Sequence, residues 1–352
     1  MKGWKNGVFF LLMLLLLGWT GYTILKDQSP QQIAQAIASA NLPILLLGIP
    51  VMGLYIAFEA KSSHWILRSL GSAQPYRRCY FYSCVGFFFS VITPSASGGQ
   101  PAQVYYMSRD GVPGAYGALD MLLVTVGYHA AVVIYGVIAL LTSHHLSQQL
   151  GEIGPLLVIG LSLFILLGVA MLLLLFAPGP IQRLCHGVIR LTARLRPSLD
   201  VPKWTQRVDR YMAQYRTGSD LLRAAPALFP KVLLMSLGQQ ACVYLAPYLV
   251  YLAFGLEGST LWQVFFLQVL CSISVEYLPL PGGAGAAEQV FLHSFLVLFG
   301  ATLVAPAMIV SRTVSCYLPL GITGVITALG HMVGKQSLKA RPLSNAPGDL
   351  AA

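Results

Sequence analysis

Two Pro/Gly-rich breaks fall inside sequence apolar enough for a lipid bilayer, and they restrict the architecture more than any other feature of this chain. The first reads Thr93-Pro94-Ser95-Ala96-Ser97-Gly98-Gly99-Gln100-Pro101-Ala102. The second reads Pro279-Leu280-Pro281-Gly282-Gly283-Ala284-Gly285-Ala286-Ala287-Glu288. Lipid offers no partner to an unpaired backbone N–H or carbonyl, so broken backbone at membrane depth requires protein around it or a polar cavity beside it. In helical membrane proteins such breaks point to where a polar group is handled inside the bundle.

Composition supports the bilayer setting. Of the 352 residues 56% are apolar and only 10% are charged, against about 25% charged in soluble domains. The net charge of +10 comes from Lys and Arg crowded into a few connecting segments, as cytoplasmic loops require. Few surface aromatics interleave with them, so nucleic acid is not an expected partner. The six cysteines (Cys79, Cys84, Cys185, Cys242, Cys271, Cys316) are scattered without a C-x-x-C and read as small buried apolar groups. His144 and His145 have no further ligand nearby in sequence, and no metal or cofactor is expected. The chain contains no G-x-x-x-x-G-K-[ST], no G-x-S-x-G and no H-E-x-x-H, so no catalytic residue is nominated.

Crossing a core of about 30 Å takes roughly 20 helical residues. Six segments reach that length: 8–25, 42–60, 115–141, 154–177, 229–254 and 303–330. The first follows Lys2 and Lys5 and lacks a convincing cleavage site before Lys26, which predicts a retained helix rather than a signal peptide. Two further apolar stretches, 79–108 and 261–299, carry the breaks, and each half is short enough to stop near mid-membrane. These are expected to be re-entrant helical hairpins. The basic residues before the first helix, after the second (Lys61, Arg68, Arg77, Arg78), between the fourth and fifth (Arg183 to Lys231) and at the end (Lys335, Lys339, Arg341) all fall on one side. That side is the cytoplasm by the positive-inside rule, with both termini there. The first hairpin then enters from the cytoplasm and the second from outside. Units 42–141 and 229–330 become inverted repeats within a transmembrane domain spanning 1–335. The expected fold is thus an all-α polytopic membrane protein with about six full transmembrane helices plus two re-entrant hairpins.

Segment 181–231 alternates Arg with Leu, Val, Trp204 and Tyr211. It is expected to form amphipathic helices on the inner leaflet, attracted to anionic lipid; a solvated loop that only sets topology is the alternative. Residues 336–352 are expected to be a disordered tail.

Chemistry concentrates at the breaks and at charges within apolar sequence. Gly98-Gly99 and Gly282-Gly283 allow backbone angles closed to other residues. Helices starting just after them would present N–H groups and a positive dipole end to a phosphate. The expected substrate-binding set is Thr93, Pro94, Gly98, Gly99, Gln100, Pro281, Gly282, Gly283, Glu288 and Arg312. Arg312 is expected to face the phosphate, with Glu288 or Glu276 as its resting partner. A static Arg–Glu pair that only locks helices is the alternative. Asp120, Glu276 and Glu59 are assigned to charge balance or proton coupling. Gln100, Gln103, Gln239, Gln240 and Gln289 could line a polar path or simply join helices, and His129 reads as a packed, hydrogen-bonded residue.

With Thr93-Pro94, Gly98-Gly99, the run Pro279 to Gly285 followed by Glu288, and Arg312 in the last helix, the chain resembles the flippase-like, lysylphosphatidylglycerol synthase transmembrane family over about residues 5–335. Full-length relatives join such a membrane module to a cytoplasmic domain that lysinylates phosphatidylglycerol from charged tRNA. The module is thought to carry the product to the outer leaflet. This chain ends after the module. The resemblance therefore implies translocation of a phospholipid, anionic or aminoacylated, in the bacterial plasma membrane. Its competitors are lysyl transfer itself and a non-transporting partner of a separate lipid synthase. A homo-oligomer is compatible with all three.

Overall fold

A computed structural model describes residues 30–93, 96–142, 154–195, 201–277 and 285–339. The expected first helix (8–25), Pro94, Pro281, Gly282 and Gly283, and most of the tail lie outside them. No strand occurs among the described residues, and the chain is a polytopic helical membrane protein.

The helices in chain order are α1 (Pro30–Ser39), α2 (Leu42–Leu46), α3 (Gly48–Ser69), α4 (Tyr76–Ile92), α5 (Gly99–Arg109), α6 (Gly114–Thr142), α7 (Gly154–Phe176), α8 (Pro178–Leu195), α9 (Val201–Arg223), α10 (Leu228–Ala253), α11 (Leu261–Val275), α12 (Ala286–Ser294), α13 (Leu296–Arg312) and α14 (Leu318–Lys339). A π-helical turn, Thr313–Tyr317, joins the last two. Five runs among the described residues are long and apolar enough to cross a membrane: Leu42–Ser69, Gly114–Thr142, Pro155–Phe176, Leu228–Ala253 and Leu296–Met332. They coincide with five of the six expected segments.

The last run differs in detail from expectation. It begins at Leu296, bends at Gly300, whose backbone is non-helical, and carries Pro306 before the π turn. A straight 37-residue helix would be about 55 Å long, far more than a bilayer core. The bend at Gly300 separates a single turn, 296–299, from the spanning part that begins near the expected start at 303. Helix α1 was not anticipated. It packs on α13, and the chain between α1 and α2 is pinned where Asn41 N–H donates to the Ala253 carbonyl at 2.7 Å.

Both broken stretches fold back on themselves. Limbs α4 and α5 pack together, as do α11 and α12. Thr260 starts α11 with a reciprocal cap: its hydroxyl accepts from Gln263 N–H at 3.3 Å, and Gln263 Oε1 accepts from Thr260 N–H at 2.9 Å. Across the two units the contacts are reciprocal. Helices α3 and α10 run against each other, α4 packs on α14, and α11 packs on α6. The apolar core forms two clusters. One lies under α11 to α13 and contains Phe265, Leu270, Phe295 and Met308. The other lies under α4, α5 and α9 and contains Leu67, Tyr82, Leu119 and Leu222. Polar side chains gather where α3, α5 and α10 meet.

The basic segment is helical, in α8 and α9, which pack on each other. Asp209 of α9 accepts from Gln182 of α8 at 2.8 Å and meets His186 at 2.9 Å. Leu184, Val188 and Leu191 of α8 are exposed. At spacings of four and three they form one stripe.

Candidate functional site

A cavity of about 630 Å³ opens between the two units. Both hairpins reach it: Ala96, Ser97 and Gln100 from the first, Glu276, Tyr277 and Ala287 from the second. Glu59 and Arg312 also line it.

At the first break Thr93 substitutes for missing backbone partners. Its hydroxyl donates to the Phe89 carbonyl at 2.6 Å and accepts from Gly98 N–H at 2.8 Å. Helix α5 then starts in close contact with α4. A Cβ on Gly99 would sit 2.7 Å from the Gly86 carbonyl oxygen and also strike Ser90, so only glycine fits. Gln100 Nε2 donates to Thr125 Oγ1 at 2.7 Å, tying the mouth of the first hairpin to α6.

At the second break Gly285 holds φ 88°, a left-handed conformation that glycine adopts without strain. Its N–H donates to Glu288 Oε2 at 2.6 Å, and Arg312 Nε donates to Glu288 Oε1 at 2.8 Å. The sequence named Glu288 or Glu276 as partner of Arg312, and the structure pairs it with Glu288. The buried Glu288 carboxylate therefore already serves as the anion at the start of α12. The first break likewise satisfies Gly98 N–H internally, so neither of these two N–H groups is left for a phosphate.

Glu59 forms a second node. Gln103 Nε2 of α5 donates to its Oε1 at 3.0 Å, and Gln239 Nε2 of α10 donates to its Oε2 at 2.9 Å. One carboxylate thus joins α3, the first hairpin and the second unit. Glu276 stands apart from both nodes, exposed to the cavity, and accepts from the Tyr128 hydroxyl of α6. Beside it His129 Nδ1 lies 2.8 Å from the Thr125 carbonyl and Nε2 lies 2.9 Å from the Tyr277 hydroxyl. The carbonyl can only accept, so Nδ1 carries hydrogen and Nε2 accepts from Tyr277. Phe164 packs on Tyr277 with ring centroids 4.6 Å apart.

Asp120 is fully buried on α6 but does not line the cavity. Of the expected residues, Thr93, Gly98, Gly99 and Gln100 are brought together at one hairpin tip, and Glu288 with Arg312 at the other. Glu59 enters the cavity from α3, and Glu276 from the end of α11 in the second hairpin. Tyr128 and Tyr277 were missed by sequence reasoning, since a tyrosine within an apolar run carries no pattern that separates packing from function. The proximity of Tyr277 to Glu276 was the available signal.

The sequence profile of the family described as Lysylphosphatidylglycerol synthase TM region matches residues 7–322. The chain belongs to that family. Membership ties this multi-pass membrane protein to lysylphosphatidylglycerol synthesis or translocation. Comparison with curated proteins gives no match. The matched region takes in both hairpins and every cavity-lining residue named above, so the site falls within the family's shared membrane region.

Proposed function

We propose that this chain moves a phospholipid with a cationic, aminoacylated head group between membrane leaflets, its head group passing through the cavity while its acyl chains stay in lipid. One observation carries the reading. Two carboxylates, Glu59 and Glu276, line a cavity whose one Arg or Lys among the described lining residues, Arg312, is held by Glu288. A site of that charge suits an amine. Glu276 receives the ammonium, with Tyr128, Tyr277 and Phe164 offering ring faces. Arg312, which also lines the cavity, meets the lipid phosphate. The reciprocal packing of the two units supports inverted repeats that rock about the cavity. The exposed Leu184, Val188 and Leu191 stripe together with the Arg residues of α8 supports seating of that helix in an anionic leaflet.

Purified protein in liposomes, with lipid labelled on the acyl chain, tests the reading. Leaflet exchange of an aminoacylated phosphatidylglycerol should exceed that of empty vesicles and drop at least tenfold in Arg312→Ala and Glu276→Gln, about 1.4 kcal/mol. Unaccelerated exchange across several lipid classes would favour a non-transporting partner of a lipid synthase. The family description carries a second reading, lysyl transfer to phosphatidylglycerol. Incubation with lysyl-tRNA and phosphatidylglycerol tests it, and formation of lysyl-lipid would establish an enzyme.

A further inference from the structure

Beside the cavity, the chain buries a set of oxygen atoms that lack a hydrogen-bond partner of normal geometry. Asp120 Oδ1 and Oδ2 have no hydrogen-bond partner, nor do the Ser63 and Ser83 hydroxyls or Gln103 Oε1, all cut off from solvent. Membrane interiors punish such atoms more than soluble cores do, because no water or alternative partner reaches them. Five of them on four neighbouring helices form a pattern that packing alone does not explain.

Their order along the helices gives the pattern a direction. Helix α3 passes through Glu59 and, one turn later, Ser63. The antiparallel α4 passes through Cys79 and, one turn later, Ser83. Ser83 therefore stands beside Glu59, while Ser63 and Cys79 stand beside Asp120. Asp120 is six residues into α6, about 9 Å from the helix start. It thus lies between Glu59 and the end of the bundle where Arg78 meets Asp110 at 3.6 Å and Tyr82 donates to Asp110 at 2.6 Å. Of the elements packed on α6, α3 contributes Glu59 as an ionisable group facing Asp120, and α5, α7, α9, α10 and α11 contribute none among the described residues; Cys79 of α4 also faces it. No Lys, Arg or His pairs with it among the described residues. A carboxylate in that place has no counter-ion among the described residues, and the donor beside it is the neutral Ser63 hydroxyl. A carboxylic acid has a proton to offer and oxygens that tolerate apolar surroundings.

We propose that Asp120 holds a proton and, with Glu59, forms a relay that moves protons between the Arg78–Asp110 end of the bundle and the cavity. The transfer converts Asp120 acid and Glu59 carboxylate into Asp120 carboxylate and Glu59 acid. The hydroxyls of Ser63 and Ser83, each able to donate and accept, bridge the one-turn gap. Gln103 Oε1 accepts a hydrogen bond from the protonated Glu59 once its amide turns over, which also releases the Nε2 bond that now holds α5 to α3. A proton reaching Glu59 removes one of the two negative charges facing the cavity. Proton and cationic head group therefore exclude each other, the condition for exchanging one against the other across the membrane. This deepens the translocation reading and rests on it for the cavity end of the relay.

The test has two arms that fail separately. Infrared spectra of the purified protein at neutral pH, with and without ¹³C-carboxyl aspartate, report protonated aspartate directly. A label-sensitive carboxylic C=O band is expected in the wild type, absent in Asp120→Asn and displaced in Glu59→Gln. Its absence from the wild type would overturn the proposal, and that measurement needs no variant to fold. In proteoliposomes, wild-type exchange of the aminoacylated lipid should change at least threefold when a pH gradient is imposed, while Asp120→Asn runs equally fast in both conditions. Equal wild-type rates with and without the gradient would overturn the relay and leave translocation standing. No exchange in any condition would overturn translocation and take the cavity role of the relay with it.

Discussion

Arg312 and Glu288 meet at 2.8 Å across 24 positions of sequence, and the same carboxylate holds Gly285 N–H at 2.6 Å. One side chain thus fixes both the start of α12 and the end of α13. Glu288 is 2% exposed, whereas Arg312 is 22% exposed toward the cavity. Glu288→Ala removes an acceptor from a guanidinium in a largely dry setting and should destabilise the protein by about 3 kcal/mol. Glu288→Gln retains an acceptor oxygen and should lose about half as much. Thermal unfolding in detergent checks both, and an Ala variant that melts with the wild type would show that the pair contributes nothing.

The Glu59 node makes a claim about coupling. Because Gln103 and Gln239 donate to different oxygens of one carboxylate, each loses its partner when Glu59 becomes Ala. Gln103→Leu should destabilise the wild type by about 1.5 kcal/mol and be nearly silent in Glu59→Ala. A double-mutant cycle read by chemical denaturation reports the difference. Strict additivity would mean that the amides find other partners.

Much of this architecture was legible because a bilayer imposes it. Run length and basic residues located five spans, and the Pro/Gly breaks located both hairpins. The choice between Glu288 and Glu276 as partner of Arg312 was not legible, since it depends on how α11 and α12 are rotated about their own axes. That rotation is set by packing contacts with α6 and α13 that no local pattern encodes. The same holds for Tyr128 and Glu276, which are 148 positions apart. Asp120 was assigned from sequence to charge balance or proton coupling, but its complete burial was not legible. Its burial is created by α3 and α4, which close over it from earlier in the chain.

Two glycines separate close approach from mere helix membership. Gly99→Ala drives a methyl group to 2.7 Å from the Gly86 carbonyl oxygen, a backbone atom that cannot move aside without opening the α4–α5 hairpin. A loss of about 2 kcal/mol is expected. Gly321 lies within α14 with nothing inside 4 Å of an added Cβ. Gly321→Ala should therefore stabilise by up to about 1 kcal/mol through helix propensity. Melting temperatures should move in opposite directions; a shared sign would contradict the tight hairpin crossing.

The His129 arrangement specifies a tautomer. Nδ1 donates to Thr125 O at 2.8 Å and Nε2 accepts from the Tyr277 hydroxyl at 2.9 Å. Nitrogen NMR of ¹⁵N-histidine protein should show the Nδ1–H form, with Tyr277→Phe shifting the Nε2 resonance far more than Nδ1. An Nε2–H signal in the wild type would reverse the assignment and turn Tyr277 into an acceptor.

Glu276 carries the selectivity of the proposed cargo. It is exposed to the cavity and receives only the Tyr128 hydroxyl among the described residues, leaving acceptor capacity on its oxygens. An ammonium bound there gains a charge-assisted hydrogen bond of about 1.5–3 kcal/mol, which a neutral head group cannot form. Glu276→Gln should thus reduce exchange of an aminoacylated phosphatidylglycerol by roughly 10- to 100-fold while changing that of unmodified phosphatidylglycerol little. Tyr128→Phe frees the carboxylate from its one intramolecular donor and should alter the preference far less. Competition between the two lipids in the same liposomes measures the ratio directly. Equal slowing of both lipids in Glu276→Gln would assign Glu276 to holding the bundle together rather than to choosing its cargo.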